Sequence, residues 1–324
     1  MTTFKGIRGT TIEVLSSDPS APELGQIWYN SSSGTLKGYK LVNTWSSGGN
    51  LNTTRTRLAA AGTQTAALAF GGKTPTVTGA TELYNGIAWT NSGNMGTARY
   101  ALTGFGTQTA AVGAGGYINP GGTQTATEKF NGTTWTASGN MGTAKYTAAG
   151  AGIQTAGLIF GGAGPGPAFS SIANAESFNG STWTAVNAMN TARKAPGGAG
   201  TQTAALAFGG SPPLTGLTES YNGTTWTALN VMNTARFRMG AAGTQTAALA
   251  FGGTTSPTSS LTATELWNGT SWTSNPTGLA TSRAYLAGCG TQTASLGIGG
   301  ENNGTIYANT EVWTGVGIKT VTVS

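Results

Sequence analysis

The apolar positions of this chain fall in short runs bounded by glycine and threonine, and the same runs return at a nearly fixed interval. "GTQTAALAFGG" from Gly62 is followed by "GTQTAAVGAGG" from Gly106, "GIQTAGLIFGG" from Gly152, "GTQTAALAFGG" from Gly200 and again from Gly243, and "GTQTASLGIGG" from Gly290. These six copies are 43 to 48 residues apart, and each precedes a second element: "TELYNGIAW", "TEKFNGTTW", "AESFNGSTW", "TESYNGTTW", "TELWNGTSW" and "TEVWTG". Four strands are predicted in each repeat. Strand a is of the type "RYALTGFG", strand b is "TAALAFGG", strand c is "TELYNG", and strand d carries the Trp. Gly-Thr or Gly-Ile suits the centre of a type II′ turn between a and b, and Asn-Gly is a hairpin signal between c and d.

A four-stranded unit at this period fits a propeller blade. The ends of the chain complete the count. The sixth repeat stops at "TEVWTG" without a matching strand d, whereas "NTWSSGGNLNTTR" is a strand d with no preceding c. Trp45 precedes Arg55 by the ten residues that separate Trp89 from Arg99, Trp135 from Lys145, Trp183 from Arg193 and Trp226 from Arg236. The expectation is an all-β chain: a six-bladed propeller of four-stranded antiparallel blades over 43–324, closed by the N-terminal strand around Trp45, with an extended arm and hairpin at 1–42. The alternating tail "GIKTVTVS" is a second candidate for that outer strand. A Gly-Gly pair closing strand b, an aromatic in c and a Trp in d together resemble the kelch repeat over residues 43–314. The resemblance implies a fold and no activity, because propellers host many functions.

Composition sharpens this. Hydrophobic residues make up 38% of the 324, enough for a sizeable core, while charged residues are only 8% and glycines number 53. There is no His and Asp18 is the single Asp, so zinc sites and Ser-His-Asp chemistry lack their residues. No metal and no cofactor is expected. The lone Cys289 implies no disulfide framework and is read as a buried strand residue. The net charge of +6 is scattered with no Lys/Arg run, which disfavours nucleic acid as a partner. No apolar run is long enough for a membrane span, and "MTTFKGIRGTTIEVL" has no secretory apolar core, so a soluble, unexported protein is expected.

Six of the ten acids recur in strand c: Glu82, Glu128, Glu176, Glu219, Glu265 and Glu311. Each has a basic counterpart after a strand d: Arg55, Arg99, Lys145, Arg193, Arg236 and Arg283. A pair present once per repeat is most simply a structural tie between strands. Trp89, Trp135, Trp183, Trp226 and Trp272 read as packing between blades, with Tyr84, Phe130, Phe178, Tyr221, Trp267 and Trp313. Only Glu13, Asp18, Glu23 and Glu301 remain outside the repeat, a poor supply for a paired-carboxylate glycosidase. "SYNGTTW" lacks the Asp of a sialidase-type Asp box, the glycine-rich runs lack a phosphate-loop ending, and the "NGT" and "NGS" sequons read as hairpin turns. No catalytic residue is assigned.

Variation concentrates in the b–c connections, "KTPTVTGA", "YINPGGTQTA", "AGPGPAFSSIAN", "SPPLTGL", "TTSPTSSLTA" and "ENNGTIYAN". Antiparallel geometry puts these loops on one face with the d–a connections. Their Tyr117, Asn119, Phe169, Asn302, Asn303 and Tyr307 suit contact with a sugar or a protein.

Before the repeats, "SSDPSAPELG" reads as an extended linker, and "GQIWYNSSSGTLKGYK" as two strands around a turn. The latter string resembles amino-terminal segments of bacteriophage tail-fibre and other virion proteins. The resemblance implies a non-enzymatic virion component, present in multiple copies, whose arm docks to another virion protein through Ile27, Trp28, Tyr29, Leu36 and Tyr39. On this reading the chain is a tail or fibre-associated adhesin whose propeller meets a host-surface glycan or protein. The alternatives weighed are a capsid or tail decoration protein without receptor binding, a cellular kelch-like adaptor, and a propeller lyase or hydrolase acting on glycans.

Overall fold

A computed structural model describes residues 12–20, 22–23, 25–165, 169–256 and 258–320, and they contain strands and no helix. The chain divides into two compact units, Met1–Thr44 with Thr314–Ser324, and Trp45–Trp313. Residues 314–320, expected within the propeller, fall with the arm because the strand Thr310–Thr320 runs on past Trp313.

The larger unit is built from antiparallel sheets that follow the four-strand reading. The first consists of Ala59–Gly62, Ala67–Phe70, Thr81–Tyr84 and Trp89–Ser92, paired in chain order. Equivalent sheets begin at Thr103–Gly106, Ala149–Ile153, Gly197–Gly200 and Gly240–Gly243. A further sheet pairs Ala287–Gly290, Ala294–Ile298, the start of Thr310–Thr320 and the end of Thr35–Ser47, in that order. Its outermost strand is therefore the N-terminal one, with the Gly48 N–H bonded to the Thr310 carbonyl at 2.8 Å. Of the tail "GIKTVTVS", residues 317–320 continue the strand Thr310–Thr320, whose opening "TEVW" supplies the strand c glutamate and aromatic, and residues 321–324 lie outside the described residues.

Each strand a lies beside the strand a of the next sheet, and Ala287–Gly290 lies beside Ala59–Gly62. This closeness is a consequence of composition, because strand a is almost entirely glycine and alanine. A Cβ on Gly104 would come within 2.7 Å of the Phe70 ring and 2.9 Å of the Ala60 carbonyl oxygen. Strand b is buried on both faces, whereas strand d keeps mainly its Trp covered. Between sheets, the ring of strand b meets the indole of the next strand d. Phe70 lies 4.7 Å from Trp135, Phe160 5.0 Å from Trp226, Phe208 4.8 Å from Trp272 and Phe251 4.8 Å from Trp45. Burial of each such ring is worth about 1.5–3 kcal/mol.

The a–b turn differs from the expected form. Gly62 ends strand a, paired with Ala67 at φ +100°, and the turn is centred on Gln64–Thr65. The Thr63 N–H bonds to the Ala66 carbonyl at 2.9 Å, while the Thr63 hydroxyl accepts from the Ala66 N–H at 3.2 Å. The threonine side chain thus supplies the acceptor of the turn, which a sequence assignment centred on Gly-Thr overlooks. The c–d turns follow expectation, with the Asn85 side chain accepting from the Ile87 and Ala88 N–H groups.

In the smaller unit Glu13–Leu15 runs parallel to Ile27–Asn30, which pairs antiparallel with the start of Thr35–Ser47. The linker reading of "SSDPSAPELG" misses a hub. Asp18 accepts from Asn30 Nδ2 at 2.7 Å, Lys37 Nζ at 2.9 Å and Trp28 Nε1 at 3.1 Å. These donors, Asn30 first, hold the Asp18 carboxyl below its ordinary value.

Candidate ligand-binding mouth

The repeated polar side chains come together as ties within the larger unit. Glu82 meets Arg55 at 2.7 Å, Glu128 meets Arg99 at 2.9 Å, Glu176 meets Lys145 at 3.1 Å, and Glu219 meets Arg193 at 3.0 Å. Glu265 meets Arg236 at 3.0 Å, and Glu311 meets Arg283 at 2.7 Å. All are buried. The second carboxylate oxygen accepts a backbone N–H from the neighbouring d–a connection, for example Gly96 to Glu128 at 2.7 Å. The d-strand indoles donate across the same seams, as with Trp135 to Thr81 and Trp45 to Thr264, both at 2.9 Å. Trp226 is the exception and donates to the Asn187 carbonyl, because Ala175 replaces the threonine.

One repeated residue escaped the sequence reading. The glutamine of "GTQTA" reaches into the preceding sheet: Gln108 Nε2 donates to the Ala67 carbonyl at 3.0 Å and the Tyr84 carbonyl at 2.6 Å. Gln154, Gln202, Gln245 and Gln292 do likewise, and Gln64 donates to the Trp313 carbonyl. Its invariance in all six turns was the available signal.

After these ties, the charges left over in Trp45–Trp313 are few. They are Arg57, Lys73, Lys129, Lys194, Arg238 and Glu301. All but Lys129 sit where the d–a connections and the first residues of the b–c loops meet. In each d–a connection the residue after the paired base bridges to the first loop residue: Thr56 to Lys73, Tyr100 to Tyr117, Tyr146 to Ala163, Lys194 to Ser211, Phe237 to Thr254 and Ala284 to Glu301. The next residue adopts a left-handed backbone at every repeat, with φ between 49° and 58° at Arg57, Ala101, Thr147, Ala195, Arg238 and Tyr285. The N–H of each donates to the carbonyl of the one before, from Ala101 to Arg57 at 2.7 Å through to Tyr285 to Arg238 at 2.8 Å, and Arg57 donates to Tyr285 at 2.9 Å. The six bonds make a closed cycle. Backbone geometry at this mouth repeats while side chains do not.

A cavity of about 510 Å³ opens there, lined by Arg57, Lys194, Arg238, Tyr146, Tyr285 and Phe237, with Thr147, Ser211 and Pro212 among the smaller groups. Tyr285 packs against two guanidiniums, with Arg57 Cζ 4.1 Å and Arg238 Cζ 4.3 Å from its ring centroid. Glu301 stands 3.6 Å from Arg57, a loose contact. Burial lowers Arg238 and raises Tyr285, Tyr146 and Tyr100 from their ordinary values, so the phenols stay protonated donors. The opposite opening is lined by strand a glycines and alanines with Phe105 and Cys289 and carries no charge.

The loop residues singled out from sequence divide. Tyr117 and Phe169 meet edge to face at 5.6 Å and both contact Tyr146, so they border the lined cavity through that ring. Asn119 lies in the turn after Tyr117. Asn302 Nδ2 donates to Ser282 at 3.1 Å, Asn303 sits in the hairpin turn between Glu301–Asn302 and Thr305–Ile306, and the Tyr307 carbonyl accepts from the Arg55 N–H at 3.2 Å. Those three belong to loop structure, while the cavity wall comes mainly from the d–a connections, with Ser211 and Pro212 added from one b–c loop. In the smaller unit Trp28 is fully buried on Asp18, so it is withdrawn from the set of docking residues. Tyr29 is exposed and pairs with both Val14 and Leu36, giving an apolar row across three strands. Ile27 and Tyr39 are half-buried. Among the described residues no group of His, Cys, Asp and Glu is placed to hold a metal. Comparison of the chain with protein-family models and with curated proteins returns no match.

Proposed function

We propose that Trp45–Trp313 is a closed, six-bladed, kelch-like propeller acting as a non-enzymatic binding module, and that the whole chain is a bacteriophage virion protein, a tail or fibre-associated adhesin. One observation carries the binding role: three of the five bases not consumed by the repeated ion pairs, Arg57, Lys194 and Arg238, line one cavity together with Tyr146, Phe237 and Tyr285. A purely architectural unit has no use for that asymmetry. Ring closure is supported by the hydrogen-bond cycle through Arg57 and Tyr285, by Gln64 on Trp313, and by Trp45 in the strand d position. The non-enzymatic reading is supported by the sequence, in which Glu301 is the one acid of this unit outside the pairs. The phage setting rests on the resemblance of "GQIWYNSSSGTLKGYK", and the apolar row of Val14, Tyr29 and Leu36 offers the arm a docking surface.

The test is competition on host cells. Labelled full-length protein is titrated onto candidate hosts with and without whole particles. Saturable binding that blocks infection supports the adhesin. Absence of binding across a host panel, with the protein present on particles, refutes it in favour of a decoration protein.

A further inference from the structure

The cavity at the d–a mouth holds more donors than the protein uses. Arg57 and Arg238 both lie over one tyrosine ring, that of Tyr285, and Lys194 joins them on the wall. Three cations share one space with a single loosely engaged carboxylate, Glu301. Their mutual repulsion is relieved by an anion placed between them. The stacking on Tyr285 fixes both guanidiniums, so little side-chain freedom is lost when they close on a carboxylate. Two polar atoms here are buried with no hydrogen-bond partner among the described residues, Arg57 Nε and the Thr147 hydroxyl. Nε and a terminal nitrogen of one arginine form the fork that matches a carboxylate.

We propose that this cavity takes the acidic unit of a saccharide, a sugar ring carrying one carboxylate. The carboxylate is held by Arg57 and Arg238 with Lys194, and the ring hydroxyls are met by Thr147, Ser211 and the phenols of Tyr146 and Tyr285. A bare ion does not account for the site: the cavity of about 510 Å³ lies in the range of small-molecule pockets, roughly 300–1,000 Å³, and its wall mixes hydroxyls with aromatic faces. The cations set the charge of the ligand, and the neutral phenols and hydroxyls set its polyhydroxylated character. The inference rests on the binding-module reading and deepens it by naming the ligand class.

The experiment is calorimetric titration of the purified full-length chain with a set of methyl glycosides: a glucuronide, a galacturonide and a sialoside, the methyl esters of the same acids, a neutral galactoside, a galactose 6-sulfate, and inorganic phosphate alone. At least one carboxylate glycoside is expected to bind, with its ester about tenfold weaker or more. Arg238→Ala and Lys194→Ala should each weaken it about tenfold, whereas Lys129→Ala, which removes the unpaired base elsewhere in this unit, should not. If Arg238→Ala does not fold by circular dichroism, Lys194→Ala and Thr147→Val carry the comparison. The proposal is overturned if ester and acid bind alike, if phosphate or the sulfate binds more tightly than every carboxylate, if Lys129→Ala weakens binding as much as Lys194→Ala, or if no glycoside binds. Cell binding measured in parallel separates the two claims. Cells bound but acid sugars ignored defeats the ligand class alone, and acid sugars bound with cells ignored defeats the adhesin alone.

Discussion

Removing the Glu128 carboxylate should unseat one joint of the larger unit. Its Oε1 faces Arg99 Nη2 at 2.9 Å, and its Oε2 accepts the Gly96 N–H at 2.7 Å. The side chains are 0% and 7% exposed, so water does not substitute for either partner. Burial pulls the Arg99 guanidinium below its ordinary value and the Glu128 charge pulls it back up, so the carboxylate is what keeps a buried cation tolerable. In Glu128→Ala, Arg99 keeps the carbonyls of Gly115, Ala126 and, at 3.5 Å, Gly113 but no counter-charge, and the Gly96 and Thr97 N–H groups lose this acceptor. A buried pair broken on one side costs about 3–5 kcal/mol. Over the roughly 270 residues of this unit, an unfolding entropy near 2.1 cal/mol/K per residue converts that to a Tm lower by about 5–9 °C.

Replacing both partners separates charge from scaffold. Arg99→Met with Glu128→Leu removes the uncompensated cation but still takes the side-chain partner from the Gly96 and Thr97 N–H groups and from the carbonyls of Gly113, Gly115 and Ala126. The double variant should therefore recover only part of the loss, with a coupling of about 2–3 kcal/mol in the double-mutant cycle. Guanidinium unfolding followed by tryptophan fluorescence reads wild type, Arg99→Met, Glu128→Leu and the double variant, which close the cycle, with Glu128→Ala measured beside them. A single-variant loss below about 1 kcal/mol, or coupling below about 0.5 kcal/mol, would mean that the pair behaves like a surface contact and would refute the reasoning.

Further expectations are simpler. Lys145 is the one base of the six that is not arginine, and Lys145→Arg should gain about 1 kcal/mol by adding a bond to the carbonyls that its counterparts reach; no gain in urea midpoint counts against the equivalence of the repeats. Gln64→Ala and Gln108→Ala should each destabilise by about 1–2 kcal/mol, with Gln108, which holds two carbonyls, at the upper end, and a silent Gln64→Ala beside a harmful Gln108→Ala would argue against a closed ring. Cys289 is buried and its thiol is pushed up to about 12, so it should resist a thiol reagent at neutral pH until the protein unfolds. Asp18 has a depressed folded-state value, so its contribution is present above the unfolded carboxyl range and fades as pH falls through the folded value. The indole N–H resonance of Trp28 should follow that acid titration and lose its pH dependence in Asp18→Asn.

The repeating chemistry was legible in the sequence because each feature occurs six times. The Glu and Arg positions, the strand d indoles and the four-strand order all appear once per period, and Trp45 betrayed the outer strand through its spacing to Arg55. What escaped has physical causes. The a–b turn was misplaced because a threonine hydroxyl replaces a backbone acceptor, so Gly62 marks the strand end instead of the turn centre. Asp18 was taken for linker because its partners Trp28, Asn30 and Lys37 are 10 to 19 residues away. The cavity wall is not legible from loop variability because most of it is the two residues after the paired bases, such as Arg57 and Tyr285, with only Ser211 and Pro212 coming from a variable loop.

Those two-residue stretches explain why a repeat protein can carry one asymmetric site. The backbone at Arg57, Ala101, Thr147, Ala195, Arg238 and Tyr285 is held by a cycle of main-chain bonds that makes no demand on side-chain identity beyond tolerating a left-handed φ. Side chains there are therefore free to vary without loosening the cycle, unlike strand a, where a single Cβ at Gly104 meets Phe70 and Ala60. Variation is permitted at the mouth and forbidden along the inner strands. Two arginines, a lysine and three aromatic rings have accumulated around that tolerant cycle, while the opposite opening kept glycine and alanine. Neutral drift at tolerant positions would scatter charge around all six repeats. Here the cationic side chains Arg57, Arg238 and Lys194 line one cavity, two of them over the Tyr285 ring, and that clustering is the pattern the proposed binding role predicts.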